Sequence, residues 1–198
     1  MEKHFFIYKS VIYNPNNCDL SSIPMMVRRR FSALTKAAFS TLIPCFENDN
    51  INLLIASKYG EFDTLEKLIE QIEDSNEVSP TLFSNSVHNC IAGNFSLIKK
   101  ITKSYNAVSV GDRTISNAIV QTICAKSPTL FCYADTVGET VAFSCLIGND
   151  YRENSLKCEL INKHNDVKEQ EYNRFISFLN GMTDNFDGEY YTIRRVYD

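Results

Sequence analysis

Short, nearly continuous apolar runs recur along this chain between segments of helical periodicity, and that alternation restricts the fold more than any other feature. Residues 52–57 (NLLIAS) and 129–134 (TLFCYA) are apolar at almost every position. A strand with one wet face alternates polar and apolar residues; runs like these read as strands covered on both faces. Residues 141–147 (VAFSCLI) and 156–161 follow as strands with few turn residues between them. Residues 5–8 and 11–13 are β-rich, and 107–110 and 190–197 are further strand candidates.

Between the strands the period changes to that of a helix. Val27, Phe31, Leu34, Ala38 and Leu42 fall on one helical face, with Ser21 or Ser22 as cap, Pro24 near the start and Pro44 as the stop. Asp63 with Glu66 three residues on reads as a capping box, ahead of a stripe of Leu65, Leu68, Ile69 and Ile72. After the Ser79-Pro80 turn, Val87, Cys90, Ile91, Phe95, Leu97, Ile98 and Ile101 describe a long helix apolar over much of its circumference, and so buried on several sides. Gly93 inside it costs about 1 kcal/mol relative to Ala, which marks a close approach of another backbone. Asp112 reads as the cap of a helix carrying Ile115, Ala118, Ile119 and Ile123. Tyr172, Phe175, Ile176 and Leu179 form a last helix stopped by Gly181. The expected class is α/β: a mixed sheet covered by helices on both faces, in a single domain over residues 1–198.

Composition narrows the function classes. With 44% hydrophobic and 22% charged residues, the 198-residue chain is ordinary globular material and not disordered or fibrous. A net charge of −4 argues against a large nucleic-acid surface. The seven cysteines include no CxxC spacing, and Cys124, Cys132 and Cys145 lie in or beside apolar runs. A disulfide framework is not expected, and a reducing, cytoplasmic setting is. No stretch approaches eighteen apolar residues, and the first residues hold no long apolar segment, so no membrane span or signal peptide is expected. No phosphate-binding glycine loop, nucleophile elbow or zinc spacing occurs, and neither metal nor cofactor is expected. Of the histidines His4, His88 and His164, only His88 lies in an apolar setting, where a hydrogen-bonded interior imidazole is the plainer reading. Arg28, Arg29 and Arg30 form either a solvated, ion-paired face or a docking patch for an acidic partner.

Several segments carry a family pattern in a fixed order. They are PMMVRRRFSALTKA (24–37), ASKYGEFDT (56–64), SPTLFSNSVHNCIAG (79–93), YADTVGE (133–139) and IRRV (193–196). Together they resemble the β-ketoacyl synthases. The likeness is greatest to the short, N-terminal-domain-only or chain-length-factor homologues of aryl polyene and related fatty-acid-like pathways in Gram-negative bacteria. The resemblance implies a thiolase-like half with a buried central helix. It places the synthase's reactive cysteine at Asp112, or at Val108 with a gap, and neither is Cys. The histidine-bearing C-terminal half of a synthase finds no counterpart in the sequence.

The implied role is a non-catalytic subunit that pairs with a full-length ketosynthase and forms one wall of its acyl tunnel. An obligate interface of that kind buries roughly 2,000 Å² or more. By the same resemblance the wall draws on Leu82, Phe83, Ser86, Val87, His88 and Cys90; for Val87 and Cys90 ordinary core packing is an equal alternative. Arg28, Arg29 and Arg30 are the candidate docking site for an acyl carrier protein. Two other roles remain open: a degenerate synthase with decarboxylase or acyltransferase activity through Asp112 or His88, and a scaffold that binds carrier protein.

Overall fold

The computed structural model describes residues 3–75, 77–167 and 169–197. Its strands are Lys3–Ile12 (β1), Asn52–Ala56 (β2), Tyr105–Val108 (β3), Thr129–Val137 (β4), Glu139–Gly148 (β5), Leu156–Asn162 (β6), Asn185–Asp187 (β7) and Tyr191–Arg195 (β8). They form one sheet in the order β3-β2-β4-β5-β1-β6-β8-β7. β2 runs parallel to β3 and β4, and the other pairings are antiparallel. The expected mixed sheet is therefore present.

Period-two alternation divides each central strand between two cores. Leu53, Ile55, Leu130 and Cys132 face the helices Ala33–Cys45 (α2) and Cys90–Lys99 (α5). Leu54, Ala56, Phe131 and Tyr133 face Thr114–Cys124 (α6) and Glu171–Leu179 (α7). Both faces are covered, which is why these strands read as continuous apolar runs. Aromatic contacts pin each layer: Phe39 meets Phe31 at 4.6 Å and Phe95 at 5.1 Å, and Phe143 meets Phe175 at 4.9 Å. Each such fully buried ring contributes about 1.5–3 kcal/mol through its loss of water contact. Among the described residues no helix is long and apolar enough to cross a membrane.

The structure corrects several expectations. The single helix over residues 24–44 is two, Met25–Arg28 (α1) and α2. Ser32 breaks it, because its extended backbone (ψ 170°) and its hydroxyl, which accepts from the Thr35 amide at 2.9 Å, cap α2. Val27, Phe31, Leu34, Ala38 and Leu42 still share one core, so the stripe holds while the helix does not. The buried central helix is α2, with nine of thirteen residues buried, and not residues 87–101. That second segment begins its helix only at Cys90, and its Leu97 is 78% exposed. A Cβ at Gly93 would meet nothing within 4 Å, so no backbone approaches there.

Residues Phe62–Ser75 (α3) and Pro80–Ser86 (α4) pack on each other, and of the α3 apolar stripe only Leu68 is buried. Strand β7 was not expected, since three residues carry no readable period. One measurement separates a split helix from a continuous one. Ser32→Ala lowers stability in urea unfolding by about 1–2 kcal/mol, whereas Ser21→Ala and Ser22→Ala leave the midpoint where it is.

Candidate functional site

The carboxyl ends of parallel strands are where open α/β sheets hold ligands. Here β2, β3 and β4 bring together the loop 57–61, the loop 109–113 and Asp135. Asp135 is fully buried. Its Oδ2 accepts from the Lys58 amide at 2.7 Å and the Tyr133 hydroxyl at 3.0 Å. Its Oδ1 accepts from the Tyr59 amide at 3.2 Å and the Ser57 hydroxyl at 3.3 Å. A buried carboxylate costs several kcal/mol unless its oxygens are satisfied, and here the loop after β2 supplies the donors. The Ser57 hydroxyl in turn accepts from the Gly60 amide at 2.7 Å.

Gly60 stands at φ +62°, and a Cβ there would lie 2.8 Å from the His88 ring. His88 Nε2 is 3.0 Å from the Ser57 carbonyl oxygen. A carbonyl only accepts, so Nε2 carries the proton and donates. His88 is thus a clamp on the loop.

Next along the chain is a second buried carboxylate, Glu61. Its Oε1 accepts from the Ser32 and Thr35 hydroxyls at 2.7 and 2.8 Å, and its Oε2 from Thr64 at 2.8 Å. The Cys90 thiol points at Oε1 from 3.7 Å. The one side chain therefore ties α2, α3 and the start of α5 together. The Glu61 carbonyl accepts from the Thr64 and Leu65 amides, so Glu61, and not Asp63, opens α3. Burial, and then the Glu61 charge, push the Cys90 thiol up to about 12. It stays protonated and unreactive at neutral pH.

Asp112 is not a helix cap. It lies in a 3-10 turn, Gly111–Arg113, ahead of α6. The amides of Ile115 and Ser116 donate instead to Glu171 Oε2, at 2.9 and 3.1 Å, and the Ser116 hydroxyl donates to Oε1. A carboxylate from α7 thus meets the positive end of α6. The side chain of Asp112 is 91% exposed and accepts from Lys58 Nζ at 2.6 Å. That ammonium holds the Asp112 carboxyl below its ordinary value, and Asp112 holds Lys58 above its own. Val108, the other candidate, ends β3 half-buried against the α6–α7 core.

A cavity of about 860 Å³ opens beside the Lys58–Asp112 pair, bordered also by Tyr133, His164, Glu171 and Arg174. No cysteine is among the described residues that line it. A smaller cavity, about 230 Å³, lies over Glu61 between Arg30, Lys67, Leu82 and Asn85. Among the described residues no group of His, Cys, Asp and Glu is arranged to hold a metal ion.

The structure therefore brings His88 and Cys90 onto the 57–61 loop and keeps Asp112 apart from both. Leu82 and Ser86 are half-buried, Phe83 and Val87 are exposed, and Cys90 is buried in the α2–α5 core. Arg28 is half-buried and reaches the Leu20 carbonyl at 3.5 Å; Arg29 and Arg30 are exposed. The Asn85 amide donates to the Arg30 carbonyl at 3.2 Å and so joins α4 to the basic run. Sequence reasoning assigned no role to Lys58, Glu61, Asp135 or Glu171. The segments SKYGE and YADT did carry three of them.

The family description "Beta-ketoacyl synthase, N-terminal domain" matches residues 8–135, from β1 to the buried aspartate of β4. The chain is similar to a chain in the solved complex of a ketosynthase (ApeO) with its chain length factor (ApeC) from Xenorhabdus doucetiae. The two share 18% identity and a TM-score of 0.70, over 91% of this chain and 83% of that one, so they are comparable in length. It is also similar to the ishigamide ketosynthase/chain length factor, with 10% identity and a TM-score of 0.54, over 67% of this chain and 48% of that one. No curated protein matches it. At these identities the likeness establishes the fold, the thiolase-like arrangement of ketosynthases.

Two measurements test the site. Asp135→Ala strips the loop of its acceptor and lowers stability by about 2–4 kcal/mol, read from urea unfolding; an unchanged midpoint contradicts the role given to this carboxylate. Burial raises Glu171 above its ordinary 4.5, against the opposing effect of the Ser116 and Ile115 hydrogen bonds and of Arg174. The folded protein then holds the Glu171 proton more tightly than the unfolded chain. Its contribution to stability is complete below about pH 4.5 and is lost as pH rises through the native value. Glu171→Gln flattens that part of the stability–pH curve.

Proposed function

The chain belongs to the β-ketoacyl synthase N-terminal-domain family, and from that premise we propose that it is a non-catalytic, chain-length-factor-like subunit that pairs with an active ketosynthase. We read residues 1–198 as one such domain, working in the cytoplasm in fatty-acid-like, aryl polyene-type biosynthesis. One observation carries the reading. By the resemblance, counted without a gap, the family's reactive cysteine falls on Asp112, an exposed carboxylate locked to Lys58. A condensing enzyme needs a thiolate at a helix N-terminus, where the dipole lowers its pKa. Here Glu171 already occupies the N-terminal amides of α6. The gapped alternative, Val108, has no nucleophile to offer.

Two features support a partner. β3 is an edge strand of the sheet, and an open edge presents unpaired amides and carbonyls. Phe83 and Val87 stand 59% and 42% exposed on the SPTLFSNSVHN segment, where packed apolar side chains are the norm. In this reading the partner supplies the cysteine and histidines, and the present chain supplies shape. Leu82, Phe83, Ser86 and Val87 form the wall that limits the growing acyl chain, with His88 and Cys90 behind them.

An enzymatic reading through His88 or Asp112 is opposed by their bonding, since one is committed to the Ser57 carbonyl and the other to Lys58. Arg29 and Arg30 favour an acyl carrier protein as a second partner. They are exposed, and neither reaches a carboxylate among the described residues. Charge reversal there weakens carrier binding and spares ketosynthase pairing.

The test is co-expression with the full-length ketosynthase of the same genome. The complex makes product of defined length, and Phe83→Ala or Val87→Phe shifts that length while acylation of the partner's cysteine is unchanged. Product of unaltered length from both variants removes these residues from the wall. A chain that never co-purifies with the ketosynthase contradicts the reading as a whole.

A further inference from the structure

The acidity of this protein is concentrated on one helix. Residues 62–75, the whole of α3, carry Asp63, Glu66, Glu70, Glu73 and Asp74 against a single base, Lys67, for a net charge of −4, as much as the whole chain sums to. Among the described residues none of these carboxylates has an ion pair or hydrogen-bonded side-chain partner. The same helix, α3, leaves most of its apolar stripe in water: Phe62, Leu65, Ile69 and Ile72 are 52%, 39%, 47% and 41% exposed. Of the stripe only Leu68 is buried, and the helix packs on α4.

Left alone, this arrangement is unfavourable in three ways. Four apolar side chains at helical spacing face solvent. Glu66 with Glu70, and Glu70 with Asp74, are like charges four residues apart, which repel across one helical turn. Glu73 and Asp74 sit in the last turn, at the negative end of the helix dipole, with no basic residue to offset them. A cationic surface with an apolar centre relieves all three.

We propose that the exposed face of α3 is a docking surface for the ketosynthase subunit, which meets it with an apolar patch flanked by lysine or arginine. This rests on the pairing read above and adds where the partner sits and what charge it carries. A second copy of the chain does not fit, because it would bring the same carboxylates face to face. Nor does a carrier protein, itself acidic. Like-charge exclusion of both gives the helix a part in choosing the partner, as complementary charge does at other interfaces.

The experiment measures dissociation constants for the co-expressed full-length ketosynthase of the same genome. Wild type is compared with Glu66→Lys/Glu70→Lys/Glu73→Lys and with Ile69→Ser/Ile72→Ser, at low and high sodium chloride. All five positions are exposed, and thermal melts confirm that each variant is folded. The charge variant binds about tenfold more weakly at 0.1 M salt, and its difference from wild type shrinks near 0.5 M, where the Debye length falls to roughly 4 Å. The apolar variant binds about tenfold more weakly at both. Should the variants fail to fold, the salt dependence of wild-type pairing alone decides: affinity that falls with salt supports the proposal, and affinity indifferent to salt overturns it. Pairing within about threefold of wild type in both variants overturns this inference and leaves the pairing itself intact. So does an effect of the variants on self-association or on carrier binding in place of ketosynthase pairing. Absence of pairing by the wild-type chain overturns both readings together.

Discussion

Two carboxylates taken out of water set the form of the region where the parallel strands end. Asp135 and Glu61 are both buried, and among the described residues neither forms an ion pair. Each is held by hydrogen bonds, and nearly all the donors come from one loop and the helices it joins. Asp135 is satisfied only if residues 57–59 turn back over the end of β4. Glu61 is satisfied only if Ser32, Thr35 and Thr64 converge on it, which fixes the start of α2 against the start of α3. Because an unpaired buried charge costs several kcal/mol, neither helix can shift without breaking the set. The segments that mark the family in this sequence are largely the segments that build this knot.

The same knot fixes the loops around residue 112 independently of that residue. The donors around Asp135 and Glu61 hold the loops in place whatever stands at residue 112. Asp112 pairs with Lys58 beside the larger cavity, a cross-loop ion pair that joins the loops after β2 and β3. Glu171 seals the end of α6 from behind. The scaffold is held by hydrogen bonds to carboxylates and does not depend on a thiol at residue 112.

Legibility in the sequence followed the range of the interactions. Residues 52–57 and 129–134 were readable as doubly covered strands because period and apolarity are local properties. The break between α1 and α2 was not, because Ser32 becomes a cap only when Glu61, twenty-nine residues away, accepts its hydroxyl proton. Asp112 looked like a cap by spacing, but Glu171, fifty-nine residues downstream, won the helix end. His88 was read as a hydrogen-bonded interior imidazole, and its bond to Ser57 bears that out. The α3 stripe was legible as amphipathic, but the period of a helix cannot say whether its apolar face meets its own core or another protein.

Intact-mass analysis of the reconstituted pair, after incubation with an acyl thioester, tests the central claim most directly. The account predicts acyl mass on the ketosynthase subunit alone, with this chain unmodified and, when purified by itself, unable to turn the thioester over. An acyl adduct on this chain, or steady turnover by it without a partner, would contradict the account.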